Sequence, residues 1–369
     1  MKENKMKEIN FLTGSLAYRE HKTGVHFFHD MLIKETIDHG QYEVSVSFYD
    51  KRKNVEHFLP RDVVDKGELK YSSKLTRVLS YLLPVSLFFG KADIYICDGL
   101  IPITSKGSKR VAIIFDLMVK VFPEYYGNIK KVYLNYFFHR CKKADLIITI
   151  SETTKRDIIK YLSIDEEKIH VVPCGYEENY EGTISQEIKN VVKDNYLFYV
   201  GDMRKNKNLM NAIKGFELAS KQDKDLKFYI AGKKSAEYER LLAYVKDHCL
   251  QEKVIFLGYI SNAEKAELYK NSLALLFVSE YEGFGIPILE AANYQVPVIT
   301  SDCSSMREIA EGFAITVDPK NPDSISDAIH NVRDSVYRNR IIEQQKKLLD
   351  VYTWKNMYSS FEKAIQSIK

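Results

Sequence analysis

Short runs of apolar, mostly β-branched or aromatic residues recur along the chain, each bounded by Gly, Pro, Asn, Asp or Ser. Runs of this length and make-up predict buried strands rather than helices. In the first half they fall at Ile9–Leu12, Tyr42–Phe48, Ile94–Cys97, Arg110–Phe115, Leu146–Ile150 and Ile169–Val172. In the second half they fall at Tyr196–Val200, Lys227–Ala231, Val254–Leu257, Leu273–Phe277, Val298–Thr300 and Ala314–Val317. Segments with helical spacing lie between them, among them Asn208–Lys221, Ala236–His248, Ala263–Asn271 and Pro287–Tyr294. Strand–helix alternation predicts parallel sheets covered by helices on both faces. Its occurrence in both halves predicts an α/β chain of two Rossmann-like, doubly wound domains.

Length agrees, because 369 residues exceed what one ordinary core holds together. The polar stretch Gly175–Lys193 is the best boundary. It gives a first domain over 1–178 and a second over 179–350. The remainder, 351–369, reads as an amphipathic helix with Trp354, Met357, Phe361, Ala364 and Ile365 on one side, packing back toward the first domain.

Charge and cysteines remove several function classes. A net charge of +4 does not call for nucleic acid but tolerates anionic substrates. The five cysteines are scattered, with no CxxC pair and no Cys/His cluster, so neither a disulfide framework nor a zinc site is expected. A reducing cytoplasm fits best. The start of the chain does not read as a signal peptide, and no apolar window reaches the ~20 residues of a membrane span. Two stretches mix apolar and basic positions, Lys70–Phe89 and Ile129–Lys143. Both are candidates for contact with the inner face of a membrane, set against simple packing on a sheet.

In open parallel sheets, ligands bind beyond the carboxyl ends of the strands. The strand Leu273–Phe277 runs into Ser279-Glu280-Tyr281-Glu282-Gly283-Phe284-Gly285, and a helix is expected from Pro287. Proline suits a helix start, where its missing N–H is no loss. Gly283 and Gly285 let the backbone approach a ligand, and the helix N-terminus favours a phosphate. Glu282 in the loop and Glu290 in the first helical turn can then both face the site. The strand Tyr196–Val200 is followed by Gly201-Asp202-Met203-Arg204-Lys205-Asn206-Lys207-Asn208, a basic loop suited to holding a diphosphate.

On these residues the chain resembles family 4 of the retaining glycosyltransferases, whose architecture is GT-B: two Rossmann-like domains facing a central cleft. The family's E-x7-E motif stands here as Glu282 to Glu290 with its inner Gly-Phe-Gly. The resemblance implies that Glu282 contacts the donor sugar and Glu290 the ribose hydroxyls, while Gly283, Phe284 and Gly285 offer amides to sugar and phosphate. Lys207 matches the family's phosphate-binding lysine. Where the family has an arginine directly after the glycine, this chain has Asp202, and Arg204 is the candidate to reach the same phosphate. Gly232 and Lys233 match a glycine loop at the nucleotide, and Tyr259 lies in the loop that frames the base. In the first domain Thr23-Gly24-Val25 resembles the family's first glycine loop. Ile113-Ile114-Phe115-Asp116-Leu117 resembles a His-Asp-Leu block. Phe115 replaces the histidine, and Asp116 remains the polar candidate near the reacting carbon. Ser151 reads first as a helix cap.

The one Asp-x-Asp triplet, Asp223-Lys224-Asp225, precedes the strand Lys227–Ala231 and so sits at the wrong end of the sheet for a metal–diphosphate site. The expectation is a transfer with retention, without metal or cofactor. Its donor would be a UDP- or GDP-sugar and its acceptor a glycan or polyprenyl-linked saccharide, in surface-polysaccharide synthesis. A GT-B phosphorylase or epimerase, or a non-catalytic partner subunit, remains open on the sequence.

Overall fold

The computed structural model describes residues 6–13, 24–49, 67–80, 82–99, 101–176, 180 and 182–368. Thr23 of the expected first glycine loop lies outside the described residues. The chain divides into two compact units, Met1–Gly175 with Trp354–Lys369, and Tyr176–Thr353.

In the first unit the strands are β1 (Glu8–Thr13), β2 (Glu43–Phe48), β3 (Glu68–Tyr71), β4 (Ile94–Cys97), β5 (Lys109–Ile114), β6 (Leu146–Thr149) and β7 (Ile169–Val171). They pair in parallel, in the order β3-β2-β1-β4-β5-β6-β7. β4 and β6 are buried at every position, so they carry unbroken apolar runs rather than alternation. β3 has no such run, which is why the sequence pattern does not reveal it. It is an edge strand, half exposed, and its charges solvate the open side. There the Lys70 Nζ meets Glu8 Oε1 at 3.2 Å and Glu68 Oε2 at 3.0 Å. Lys70–Phe89 is therefore not one element. It holds the end of β3, a helix over Lys74–Leu79 and a short turn of helix over Ser86–Phe89.

The C-terminal helix Trp354–Gln366 buries Met357, Tyr358, Phe361, Ala364 and Ile365. It packs on the helix Gly24–His39, with Trp354 edge-on to Phe27 at 5.4 Å and Tyr358 stacked on His39 at 3.9 Å.

In the second unit the strands are β8 (Asn195–Val200), β9 (Leu226–Ala231), β10 (Val254–Gly258), β11 (Ala274–Phe277), β12 (Val298–Ser301) and β13 (Ile315–Val317). They are parallel, ordered β10-β9-β8-β11-β12-β13. The chain works outward from β8 in one direction, then returns to add β11 on its other side. That reversal brings the loops after β8 and β11 next to each other at the carboxyl edge, where doubly wound sheets bind ligands. Both loops singled out above, Gly201–Asn208 and Ser279–Gly285, leave these two strands.

Candidate functional site

The basic loop begins with a backbone contact that only glycine permits. The Gly201 amide donates to the Ala231 carbonyl at 3.0 Å, and the Gly232 amide to the Gly258 carbonyl at 2.7 Å. Gly232 has φ +130°, and a Cβ placed on it would lie 1.9 Å from the Gly201 carbonyl oxygen. The loops after β8, β9 and β10 are thus packed backbone on backbone. A tight turn over Lys205–Lys207 then ends at Asn208, whose φ of 55° is left-handed, a conformation asparagine tolerates better than most residues. The Asn208 side chain donates to the carbonyls of Val278 (3.1 Å) and Pro319 (2.7 Å). Asn206 donates from its side chain to the Tyr281 carbonyl at 3.1 Å and accepts the Glu280 amide at 2.8 Å. Two asparagines therefore fix the basic loop against the glutamate loop.

The consequence is a direct ion pair: Lys207 Nζ lies 2.6 Å from Glu282 Oε1, with side chains only 12% and 14% exposed. The motif carbonyls are held from behind by serines. Ser301 donates to Ser279, Ser304 to Glu282, and Ser305 to both Glu282 and Phe284. Cys303 donates its thiol to the Glu280 carbonyl at 3.4 Å. Burial, with Glu280 beside it, pushes that thiol up to about 11, so it is a neutral donor and not a nucleophile. Phe284 turns its ring inward against Tyr352 at 5.5 Å and is buried, leaving its amide as the part a ligand could meet. Gly285, at φ +135°, turns the chain into the helix Ile286–Asn293.

Glu290 falls in the second turn of that helix rather than the first, and it is 7% exposed. Its Oε1 pairs with Lys265 Nζ at 2.5 Å and its Oε2 accepts the Tyr269 hydroxyl at 3.0 Å. Burial, and then the Glu290 charge, drive the Tyr269 phenol far above its usual range, so it stays a donor. Lys265 and Tyr269 stand one turn apart on the helix Asn262–Asn271, which Ser261 and Glu264 open with a reciprocal capping box. Lys265 also lies under the Tyr180 ring, 4.7 Å from its centre. Replacing Lys265 by Met should leave Glu290 buried without its cation. The second unit should then lose about 1–3 kcal/mol, read as a lower midpoint in urea, and an unchanged midpoint would show that the pair contributes nothing.

The other expected residues are more loosely held. Arg204 is half exposed and pairs through Nε with Asp202 Oδ2 at 2.6 Å, so the residue that departs from the family pattern holds the proposed substitute cation. Lys233 is exposed after β9, and Tyr259, 62% exposed, does not pack as a core tyrosine would. Asp223 lies at the amino end of β9, paired with Arg333. In the first unit Gly24 is exposed at the start of its helix. Asp116 follows β5, half buried, and its Oδ1 accepts the Met118 amide at 2.9 Å. The Phe115 ring meets Phe28 edge-on at 5.6 Å. Ser151 caps its helix by accepting the Thr154 amide at 3.1 Å.

Two family models match the chain, glycosyl transferases group 1 over residues 181–348 and glycosyltransferase family 4 over residues 90–180. Both models describe glycosyltransferases, and together they span residues 90–348. It is 33% identical over 214 residues to the O-antigen chain mannosyltransferase RfbU of Salmonella typhimurium, covering 57% of this chain and 58% of that protein. It is 24% identical over 257 residues to the O-antigen chain mannosyltransferase B of Escherichia coli, covering 67% and 68%. Among solved structures, that of HepE from Anabaena in complex with UDP-glucose superposes with a TM-score of 0.75 at 15% identity, over 98% of this chain and all of that one. The GT-B fold is thereby shown.

Lys265 and Tyr269 are the site residues that sequence reasoning missed. The resemblance alone does not point to them, because their helix carries no glycine loop and no motif. The usable signal was a Lys and a Tyr four positions apart, facing a glutamate that the motif had already marked as a ligand group.

Proposed function

We propose that this chain transfers a hexose from a nucleoside-diphosphate sugar to a glycan or polyprenyl-linked acceptor, with retention and without a metal. The carrying observation is the pair of carboxylates at the β8/β11 reversal, each held by its own lysine. Glu290, fixed from two sides, presents an acceptor to the ribose hydroxyls. Glu282, fixed through Lys207, faces the donor sugar. Lys207 and the Gly283–Gly285 amides meet the diphosphate and take up the charge that develops as it leaves. The departing phosphate oxygen is close enough in such a front-face transfer to receive the acceptor's proton. The O-antigen mannosyltransferases among the relatives favour mannose as the sugar; the nucleotide we propose is GDP, with UDP-sugars as the alternative. These relatives also favour surface-polysaccharide synthesis, and we place the reaction in the cytoplasm, at the inner membrane face.

The test is a thermal-shift panel of GDP-mannose, UDP-glucose, dTDP- and ADP-sugars on the purified chain. At about 100 times Kd a true donor should add about 2.7 kcal/mol and raise the midpoint by roughly 5–10 °C. The same donor should be hydrolysed slowly without acceptor. Phe115 and the Asp202–Arg204 pair favour a second reading, a non-catalytic partner subunit. Nucleotide binding with no hydrolysis and no transfer would decide for it, and no shift with any nucleotide would remove both readings.

A further inference from the structure

Asp202 follows Gly201 at the carboxyl end of β8, a place where a negative charge works against a diphosphate. Its neighbours hold it firmly. The Gly201 amide donates to the Ala231 carbonyl at 3.0 Å and the Met203 amide to the Lys233 carbonyl at 3.2 Å. Ser235 donates its hydroxyl to the Met203 carbonyl, and Met203 is fully buried. The Asp202 carbonyl accepts the Tyr199 hydroxyl at 3.1 Å. A Cβ on Gly201 would lie 2.8 Å from that hydroxyl, so the glycine is what lets Tyr199 reach the turn.

The carboxylate is satisfied on one side only. Oδ2 holds Arg204 through Nε at 2.6 Å, whereas Oδ1 is buried and, among the described residues, has no hydrogen-bond partner. A buried carboxylate oxygen without a donor is destabilising, so an acceptor of this kind points to a donor that a ligand brings. Tyr199 does not serve it, because its proton goes to the Asp202 carbonyl. Burial, and then the charges of Glu282 and Asp202, drive the Tyr199 phenol far above its usual range, so it stays neutral. Both carboxylates thus act on one phenol at the end of β8, and Asp202 belongs to the same site as Glu282.

The two parts of a sugar nucleotide meet this residue differently. Diphosphate oxygens are acceptors, which a carboxylate repels, and they compete with Asp202 for Arg204, whose side chain is 52% exposed. When Arg204 turns to the phosphate, both oxygens of Asp202 are left needing donors. Sugar hydroxyls supply them and ionised phosphate oxygens do not. A bare nucleoside diphosphate also carries about one more negative charge near neutral pH than its sugar ester, because its terminal phosphate keeps a second ionisation near about 6. We propose that Asp202 is a specificity-determining residue, which accepts a hydroxyl of the transferred sugar and repels the free nucleoside diphosphate. The site then prefers the sugar nucleotide to the product it leaves behind. This role rests on the donor-site reading of the β8 and β11 loops and holds for whichever sugar they bind.

The test is calorimetric titration of the full chain with GDP-mannose against GDP, and with UDP-glucose against UDP, in the parent and in Asp202→Asn. The readout, for whichever pair binds, is the ratio of the two dissociation constants, diphosphate over sugar nucleotide. Each constant comes from the folded fraction alone, so partial unfolding does not move the ratio. Asn should tighten the diphosphate and weaken the sugar nucleotide, lowering the ratio about tenfold or more, the usual loss for a charge-assisted hydrogen bond. Asp202→Ser removes the charge with a smaller side chain and should shift the ratio the same way, which keeps the test open where the Asn variant does not fold. A ratio equal to the parent's would overturn the assignment. So would equal weakening or equal tightening of both ligands, which marks a role in structure or in overall charge alone. A parent that binds no nucleotide would refute the donor-site reading and the role of Asp202 with it. Nucleotide binding with an unmoved ratio would refute only the role of Asp202.

Discussion

Replacing Glu282 by Gln is expected to cut sugar transfer by about 100- to 1000-fold, with nucleoside diphosphate affinity equal to or tighter than the parent's. The first half follows from position: Glu282 is the carboxylate at the carboxyl end of β11, held 2.6 Å from Lys207 and braced by Ser304 and Ser305. Gln keeps the shape and the backbone bonds but removes the charge that orients the sugar. The second half follows from the same ion pair. In the resting chain Glu282 and an incoming phosphate compete for Lys207, so neutralising the glutamate frees the lysine for the ligand. Lys207→Ala should move the other way and weaken diphosphate binding about tenfold or more, the usual loss for a charge-assisted hydrogen bond. Single-turnover rates and calorimetric titration with GDP and UDP read the two effects apart. Near-parental transfer by the Gln variant would remove Glu282 from the reaction, and an unaltered Kd for the Ala variant would remove Lys207 from the diphosphate clamp.

Gly232→Ala should be the most damaging single methyl group in the second unit. Its Cβ would sit 1.9 Å from the Gly201 oxygen and 2.6 Å from the Gly201 carbonyl carbon, both main-chain atoms that cannot rotate aside. The φ of +130° adds strain that alanine does not relieve. Overpacking and backbone strain together should cost about 3–5 kcal/mol, or roughly 10 °C in the melting of that unit. The site should suffer too, because Gly201 opens the loop that ends in Lys207. Any folded fraction should bind nucleotide more weakly than the parent. A variant melting within a degree or two of the parent would show that the loops after β8 and β9 give way easily, and would undercut the rigidity assigned to the clamp.

What could be seen in the sequence and what could not divide along a physical line. The strands β4, β6, β11 and β12 were visible because both faces of each are buried, which forces an unbroken apolar run. β3 was not, because an edge strand is stabilised by one neighbour and by water, and Glu68 and Lys70 serve it as well as apolar residues would. The motif from Glu282 to Glu290 was legible because a glycine loop leading into a helix is written in consecutive residues. Its pairings were not, although Lys207 itself was marked as a site residue: Lys207 lies 75 positions from Glu282, and Lys265 lies 25 positions from Glu290. The sequence pattern placed Phe284 in the glycine loop and Tyr259 in the loop that frames the base, without deciding which ring is buried. The fold separates them, burying the ring of Phe284 on Tyr352 and leaving Tyr259 outside.

By itself, then, the sequence determined the buried elements, their parallel arrangement and the local chemistry of each loop, because strand burial, helix entry and glycine conformations depend on near neighbours. Only the tertiary structure decided which charges meet. The return of the chain from β10 to add β11 beside β8 sets the Lys207 and Glu282 loops side by side, and Asn206 and Asn208 fix them there. The same packing turns Lys265 and Tyr269 onto Glu290. Contacts of this kind depend on distances through space that no spacing along the chain encodes.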